Sequence, residues 1–263
     1  KNDNNSFKII NTGTIDPYVS LWGIKSMQYI KDKYDYPRIG FSHLKEINKT
    51  RFEQSSSPKV IIAGMSLSFE AFLDVKGEFS AAKSTSIVLG NLNDLVLLLA
   101  VLNSSTIRFY VQNQYLSLKM AGGYLNINPD ILKNTPLPRY SNYDINAFQK
   151  ISSYIITLLN LKSEISINTH VPNSHIAQLF EEVIDAMVME LYFEEDFEKA
   201  GIEIIKYAER DFESIEGKPE TEQIKIIHRA YQKLREKDNQ IRNNLKLMDI
   251  KLADIVMPIK AAK

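Results

Sequence analysis

The chain has 263 residues, 44% of them apolar, 24% charged and 10% aromatic, which excludes a largely disordered polymer and leaves room for one large domain or two modest ones. It has no Cys, which excludes a disulfide framework and any thiolate metal site. Lys plus Arg is 32 and Asp plus Glu is 32, a formal net charge of zero that taken alone argues against a nucleic-acid binder.

The zero hides a split. Residues 1–140 carry 16 basic and 11 acidic side chains, net +5. Residues 141–225 carry 7 basic and 17 acidic, net −10, and residues 226–263 carry 9 basic and 4 acidic, net +5. Charge asymmetry of this kind points to different partners for different parts of a chain. The longest apolar run, Leu95 to Leu102, is far shorter than the roughly 20 residues of a membrane-spanning helix. No signal-peptide pattern opens the sequence. These features predict a cytoplasmic location and no membrane partner. The start at Lys1 rather than Met predicts a piece of a longer chain.

In chain order, Phe7 to Ile10 is a short strand. Pro58 to Gly64 is an apolar run opened by Pro and closed by Gly, the pattern of a buried strand. Leu67 to Asp74 alternates, which predicts a strand with Leu67, Phe69, Ala71 and Leu73 on one face. Asp74 to Glu78 supplies a turn around Gly77, and Thr85 to Gly90 a further strand. Asn93 or Asp94 is placed to cap a helix over Leu95–Leu102, and Ser104 or Ser105 a second one carrying Ile107, Phe109, Tyr110 and Val111. Gly122-Gly123 breaks that pattern, and Pro136 and Pro138 close the region, so the boundary falls near residue 140.

From Asp144 the period is helical, with Phe148, Ile151, Ile155, Leu158 and Leu159 in one stripe. After a cap at Pro172-Asn173-Ser174, Ile176 to Leu191 keeps the spacing of a one-faced amphipathic helix. A third helical stripe runs from Thr221 through Ile224, Ile227, Tyr231, Leu234, Ile241, Leu245, Met248 and Leu252, and Pro258 terminates it. The pattern predicts an α+β chain: a strand-rich mixed domain over 1–140, then an α-helical bundle or coiled-coil-like module over 141–263.

Signatures of catalysis are few. There is no Gly-x-Ser-x-Gly elbow and no Gly-x-x-x-x-Gly-Lys loop. The four histidines, His43, His170, His175 and His228, have no metal-ligand spacing. Glu216-Gly217-Lys218 matches half of a nuclease motif, but it lies in a Gly-Pro turn between helices, and the solvated-turn reading is preferred. A basic and aromatic mixture spans Lys25 to Arg139, where lysines such as Lys31, Lys33 and Lys83 alternate with Trp22, Tyr29, Tyr34, Tyr36 and Tyr124. That mixture suits a surface that tracks phosphates and reads bases.

The wording of the segments is more specific than the mixture. Ile9-Ile10-Asn11-Thr12-Gly13-Thr14-Ile15-Asp16-Pro17-Tyr18, then Trp22-Gly23, Pro58-Lys59-Val60-Ile61-Ile62-Ala63, Lys83-Ser84-Thr85, Leu102-Asn103-Ser104 and Phe109-Tyr110 follow one another in a familiar order. Gly122-Gly123-Tyr124-Leu125-Asn126-Ile127-Asn128 leads into Leu132-Lys133-Asn134-Thr135-Pro136-Leu137-Pro138. Residues 7–140 so read resemble the Taq-type carboxy-terminal specificity domain, the target-recognition domain of adenine-specific DNA methyltransferases and of fused restriction–modification enzymes. Leu179 to Phe193 is similar to the helical tail that often follows it.

The resemblance implies a DNA target-recognition domain that holds double-stranded DNA for neighbouring methyltransferase and nuclease domains of the parent protein. It implies no catalysis by this fragment, because the Asn-Pro-Pro-Tyr-like motif and the cofactor loop are absent; Asn128-Pro129-Asp130 lacks the second Pro and the aromatic. S-adenosylmethionine, and Mg where the parent also cleaves, belong to the parent's other domains, with no cofactor expected in this chain. The expected DNA-binding residues are Lys59, Lys83 and Lys119 on phosphates, Gly122 and Gly123 where backbone approaches phosphate, Tyr124 against the DNA, and Asn126 and Asn128 on base edges. The acidic helices would serve as a spacer or docking module. The alternatives are a half-specificity subunit of a multisubunit restriction system and a helical protein-interaction module.

Overall fold

A computed structural model describes residues 5–162, 165–168 and 170–262. The first and last residues of the two expected domains, Lys1 and Lys263, lie outside that range. Its compact units are two: residues up to Asn103 together with Val111–Thr135, and Ser104–Tyr110 together with the chain from Pro136 onward. The chain is mixed α+β, with strands gathered in the first unit and the second unit helical.

The first unit opens with β1 (Ser6–Ile10), followed by the short strands β2 (Ile15–Asp16) and β3 (Val19–Ser20). The hairpin β4 (Met27–Tyr29) and β5 (Asp32–Tyr34) comes next, then β6 (Arg38–Gly40) and the helices α1 (Phe41–Ile47) and α2 (Lys49–Ser56). β7 (Lys59–Ala63), β8 (Met65–Ser66), β9 (Ala71–Asp74), β10 (Phe79–Ala81) and β11 (Thr85–Leu89) lead to α3 (Leu92–Asn103); α4 (Ser105–Gln114) is divided, its part up to Tyr110 belonging to the second unit, and β12 (Leu125–Asn126) and α5 (Pro129–Asn134) complete the first.

Two three-stranded sheets organise the unit. β1 lies between β10, to which it is parallel, and β6, to which it is antiparallel. β7 lies between β11 and β9, antiparallel to both. Every residue of β7 is buried, as expected of an apolar central strand. Ile10, Ile15, Ile61, Ala63, Phe72 and Phe79 make one core cluster, sealed by Trp22, Ala81 and Ile87. Phe7, Phe41 and Phe52 stack a second aromatic group, with centroids 4.4 to 6.2 Å apart. α3 packs on β7 and β9 with Leu95, Leu99 and Leu102 buried, and the Asn103 side chain bonds both backbone groups of Ala71.

Several expectations need correction. The strand expected over Leu67–Asp74 is short, beginning at Ala71, and Phe72 and Asp74 point inward. Lys59 draws Asp74 into the interior and Phe72 joins the core cluster, while Phe69 and Ala71 are buried too, so both faces of the segment are covered. The cap of α3 is Asn91, whose side chain accepts from the Asp94 amide at 3.0 Å, rather than Asn93 or Asp94.

In the second unit, α6 (Asn142–Asn160) and α7 (Asn173–Tyr192) pack against each other and against α9 (Ile204–Asp211), with α8 (Glu194–Ala200) between α7 and α9 in sequence. Ser141 and Asp144 form a reciprocal capping box at the start of α6. Tyr154, Phe180 and Phe212 make an aromatic trio at its centre, 5.3 to 5.9 Å between centroids. The long third stripe is three helices, α10 (Glu220–Arg235), α11 (Gln240–Lys251) and α12 (Ala253–Ala261). The break has a local cause: Asn239 caps α11 by accepting from the Arg242 amide at 3.0 Å. Pro258 lies inside α12 rather than ending the helix. Among the described residues no single helix is long and apolar enough to cross a membrane.

Candidate nucleic-acid interface

The turn Asn11-Thr12-Gly13-Thr14 is the organising feature of the first unit's candidate surface. Asn11 and Thr14 hold one another in a reciprocal capping arrangement. The Asn11 side-chain amide also donates to the Gln28 carbonyl at 3.0 Å, which ties the β4–β5 hairpin to the end of β1. The Thr12 hydroxyl bonds the Ser84 carbonyl and accepts from the Gly64 amide at 3.0 Å. The short Thr and Asn side chains, able to bond nearby backbone, explain why this segment forms a junction rather than extending β1.

Gly64 is the other half of that junction. Its amide also donates to the Ser84 carbonyl at 3.0 Å, and its carbonyl accepts from the Ile127 amide at 2.9 Å. One glycine thus joins the Ala82–Ser84 loop, which carries Lys83, to Ile127, just past the short strand that follows Gly122-Gly123. These segments were expected at the interface, and both hang on Gly64.

A cleft of about 550 Å³ opens between the hairpin and the Ala82–Ser84 loop. Ile9, Asn11, Met27, Tyr29, Ile30 and Lys83 are among its lining residues, and none of its lining side chains is acidic. Lys83 is exposed and also lines a smaller cavity of about 230 Å³ beside Arg51 and Gln54. Arg51 is held there by donating to the Ala81 carbonyl.

The hairpin itself is basic and aromatic. Lys25, Lys31 and Lys33 are exposed, as are Tyr29, Tyr34 and Tyr36. Its base is fixed by buried Met27 and by a Ser26 hydroxyl donating to Asp35 at 2.6 Å. Close by, Trp22 donates its indole N–H to the Pro37 carbonyl at 3.0 Å and lies under the Arg38 guanidinium at 4.8 Å. The site residues expected from sequence omit this hairpin. Its signal was present in the alternation of Lys31 and Lys33 with Tyr29 and Tyr34, but without strand pairing nothing set those residues apart from other basic and aromatic ones.

Lys59 does not belong to the surface. It is 1% exposed and pairs with Asp74 across β7 and β9, Nζ to Oδ2 2.6 Å. The same ammonium donates to the carbonyls of Ser55 and Ser57, and Asp74 accepts from the amides of Glu78 and Phe79. Burial lowers the Lys59 pKa, opposed by the bond and charge of Asp74. With its donors satisfied inside the unit, Lys59 is a structural cation, and a phosphate contact there is corrected.

The remaining expected residues share one loop and strand. Gly122 and Gly123 both have positive φ, 83° and 81°, and reverse the chain so that the Met120 amide meets the Tyr124 carbonyl at 2.8 Å. Tyr124 is half exposed, and Lys119 is partly buried among the exposed Leu116, Leu118 and Met120. That makes the loop surface mainly apolar. Asn126 is exposed on β12, which pairs with β8. Asn128 is the cap of α5, its Oδ1 accepting from the Asp130 and Ile131 amides at 3.0 Å. Its carbonyl oxygen is therefore committed to the fold and closed to a base edge.

In the second unit, Glu216 and Gly217 are exposed in a turn, and Lys218 pairs with Glu213 and Glu222. Among the described residues no group of three or more His, Asp and Glu side chains is placed to hold a metal. No protein-family profile matches the chain. No curated protein matches it either.

Proposed function

We propose that the first unit is a reader of double-stranded DNA sequence, the specificity fragment of a cytoplasmic restriction–modification enzyme of the adenine methyltransferase class. The observation that carries the reading is the cleft itself. It has an aromatic hairpin with exposed lysines on one side, moored to Asn11, and the Lys83 loop on the other, moored to Thr12 and Gly64, with no acidic side chain in its lining. Lys83 in its lining and the exposed Lys31 and Lys33 of the hairpin suit phosphates, while Tyr29 and Gln28 offer a ring and an amide to bases. The ordered resemblance of residues 7–140 to Taq-type specificity domains agrees with this placement of charge.

In this reading the fragment binds without catalysis, and methyl transfer with S-adenosylmethionine belongs to a neighbouring domain of the parent. The acidic helical unit would repel phosphate and serves as the spacer or docking part. The test is duplex binding at varied salt. Binding should fall steeply as salt rises, and Lys83→Ala, Lys31→Ala and Lys33→Ala should each lower the log–log slope by about 1. Absence of binding at low salt, or binding insensitive to salt, would end the proposal.

A further inference from the structure

The β4–β5 hairpin has an unusual tip. Tyr29 pairs with Asp32, so the loop is the two residues Ile30 and Lys31. Ile30 has φ +58°. Two-residue hairpin loops place Gly, Asn or Asp in that region, and a β-branched residue there is a strained exception. Nothing in the core compensates the strain, since Ile30 is 78% exposed. Beside it Tyr29 is 61% exposed, and Lys31 and Lys33 project from the same ribbon. The acidic groups of the ribbon are Asp32 and Asp35, and Asp35 is engaged by Ser26. The base is anchored through Asn11 and Met27, so the ribbon is fixed below and apolar at its point.

We propose that this hairpin enters a groove of the duplex and that Ile30 is an apolar wedge, pressed between two base steps so as to unstack them and bend the DNA. This rests on the DNA-reading function proposed above. Apolar side chains inserted between base steps kink duplexes, and the unstacking is offset by the added protein surface that the bent DNA meets. Lys31 and Lys33 neutralise phosphates on either side of the insertion. Lys31 and Lys33 stand beside the tip, and the exposed isoleucine has the size and apolar surface that a gap between stacked base pairs can receive.

The full chain is used to enrich duplexes from a random-sequence pool, and the enriched duplexes are then end-labelled with a donor–acceptor pair. Wild-type protein should raise transfer efficiency by bending the DNA, and 2-aminopurine placed along the site should brighten at one step. Ile30→Gly should lose both signals while melting at the same temperature or higher, because Gly is at ease at positive φ. Ile30→Met should keep them. Bending and unstacking retained in Ile30→Gly would overturn the wedge and leave the DNA-reading function standing. Failure of the wild-type chain to enrich any duplex would overturn that function, and the wedge with it.

Discussion

Gly64 and Ser84 are in contact that admits no side chain. The Gly64 amide donates to the Ser84 carbonyl at 3.0 Å, and a Cβ on Gly64 would collide with the same oxygen. The backbone angles of Gly64 are not the cause, because its φ is outside the positive region. The constraint is space: two backbones meet where the Lys83 loop is moored.

Gly64→Ala should therefore push the Ala82–Ser84 loop away from Thr12 and Gly64. Overpacking of this kind costs about 1–3 kcal/mol. Thermal unfolding should show that loss, and duplex binding by the folded variant should weaken at low salt because Lys83 leaves its place. A variant that unfolds earlier but binds with unchanged affinity and salt slope would separate the loop from the interface.

Lys59 and Lys83 should behave as opposites. Lys59→Met leaves Asp74 buried without its cation, a change that costs about 3–5 kcal/mol. The salt slope of DNA binding by the remaining folded protein should not move, since Lys59 does not reach solvent. Lys83→Ala should change stability by about 0.5 kcal/mol or less and yet reduce the slope by about 1. Denaturant unfolding and salt titration on the same two variants give a fourfold comparison, and exchanged phenotypes would reject the assignment of either lysine.

These contrasts show what the chain order alone conveys. β7 is legible because Pro58 and Gly64 bound a run of apolar residues, and α7 because Ile176 to Leu191 keeps one face apolar. The hairpin is illegible as structure because Met27 is its one buried residue, so no apolar period marks it. Pairing and the Asn11–Gln28 bond form it instead. Lys59 reads as a surface cation because its partner, Asp74, is 15 residues away and meets it only through strand register. The single long helix expected after Thr221 fails for a similar reason. The apolar spacing continues from α10 into α11, while a local cap at Asn239 starts a new helix.

The aromatic trio of the helical unit offers a further check. Tyr154 is buried against Phe180 and Phe212, its hydroxyl donating to the Glu213 carbonyl and accepting from the Glu213 amide at 3.0 Å. Burial pushes its pKa far above the usual phenol range. Tyr154→Phe keeps the ring and leaves both Glu213 groups without that partner, for an expected loss of about 1–3 kcal/mol. Urea unfolding should register it as a lower midpoint with an unchanged slope.

Glu190 makes the stability of the helical unit depend on pH. Its Oε2 accepts from the Ile204 and Ile205 amides, both at 2.8 Å, at the start of α9. Burial first, and then the charges of Asp144 and Glu203, push its pKa up to about 7 against the opposing effect of those two bonds. The folded state therefore binds a proton more tightly than the unfolded chain does. That contribution is fully present below the usual glutamate pKa and is lost as pH rises through about 7. Across that window the loss is roughly 3 kcal/mol, since each tenfold difference in proton affinity between the two states is worth about 1.4 kcal/mol. Glu190→Gln keeps an acceptor for the two amides and removes the ionisation. The variant should match the wild type near pH 4 and become progressively more stable than it up to neutral pH. Equilibrium unfolding of both proteins across this range measures the difference directly, and a gap independent of pH would remove Glu190 as its source.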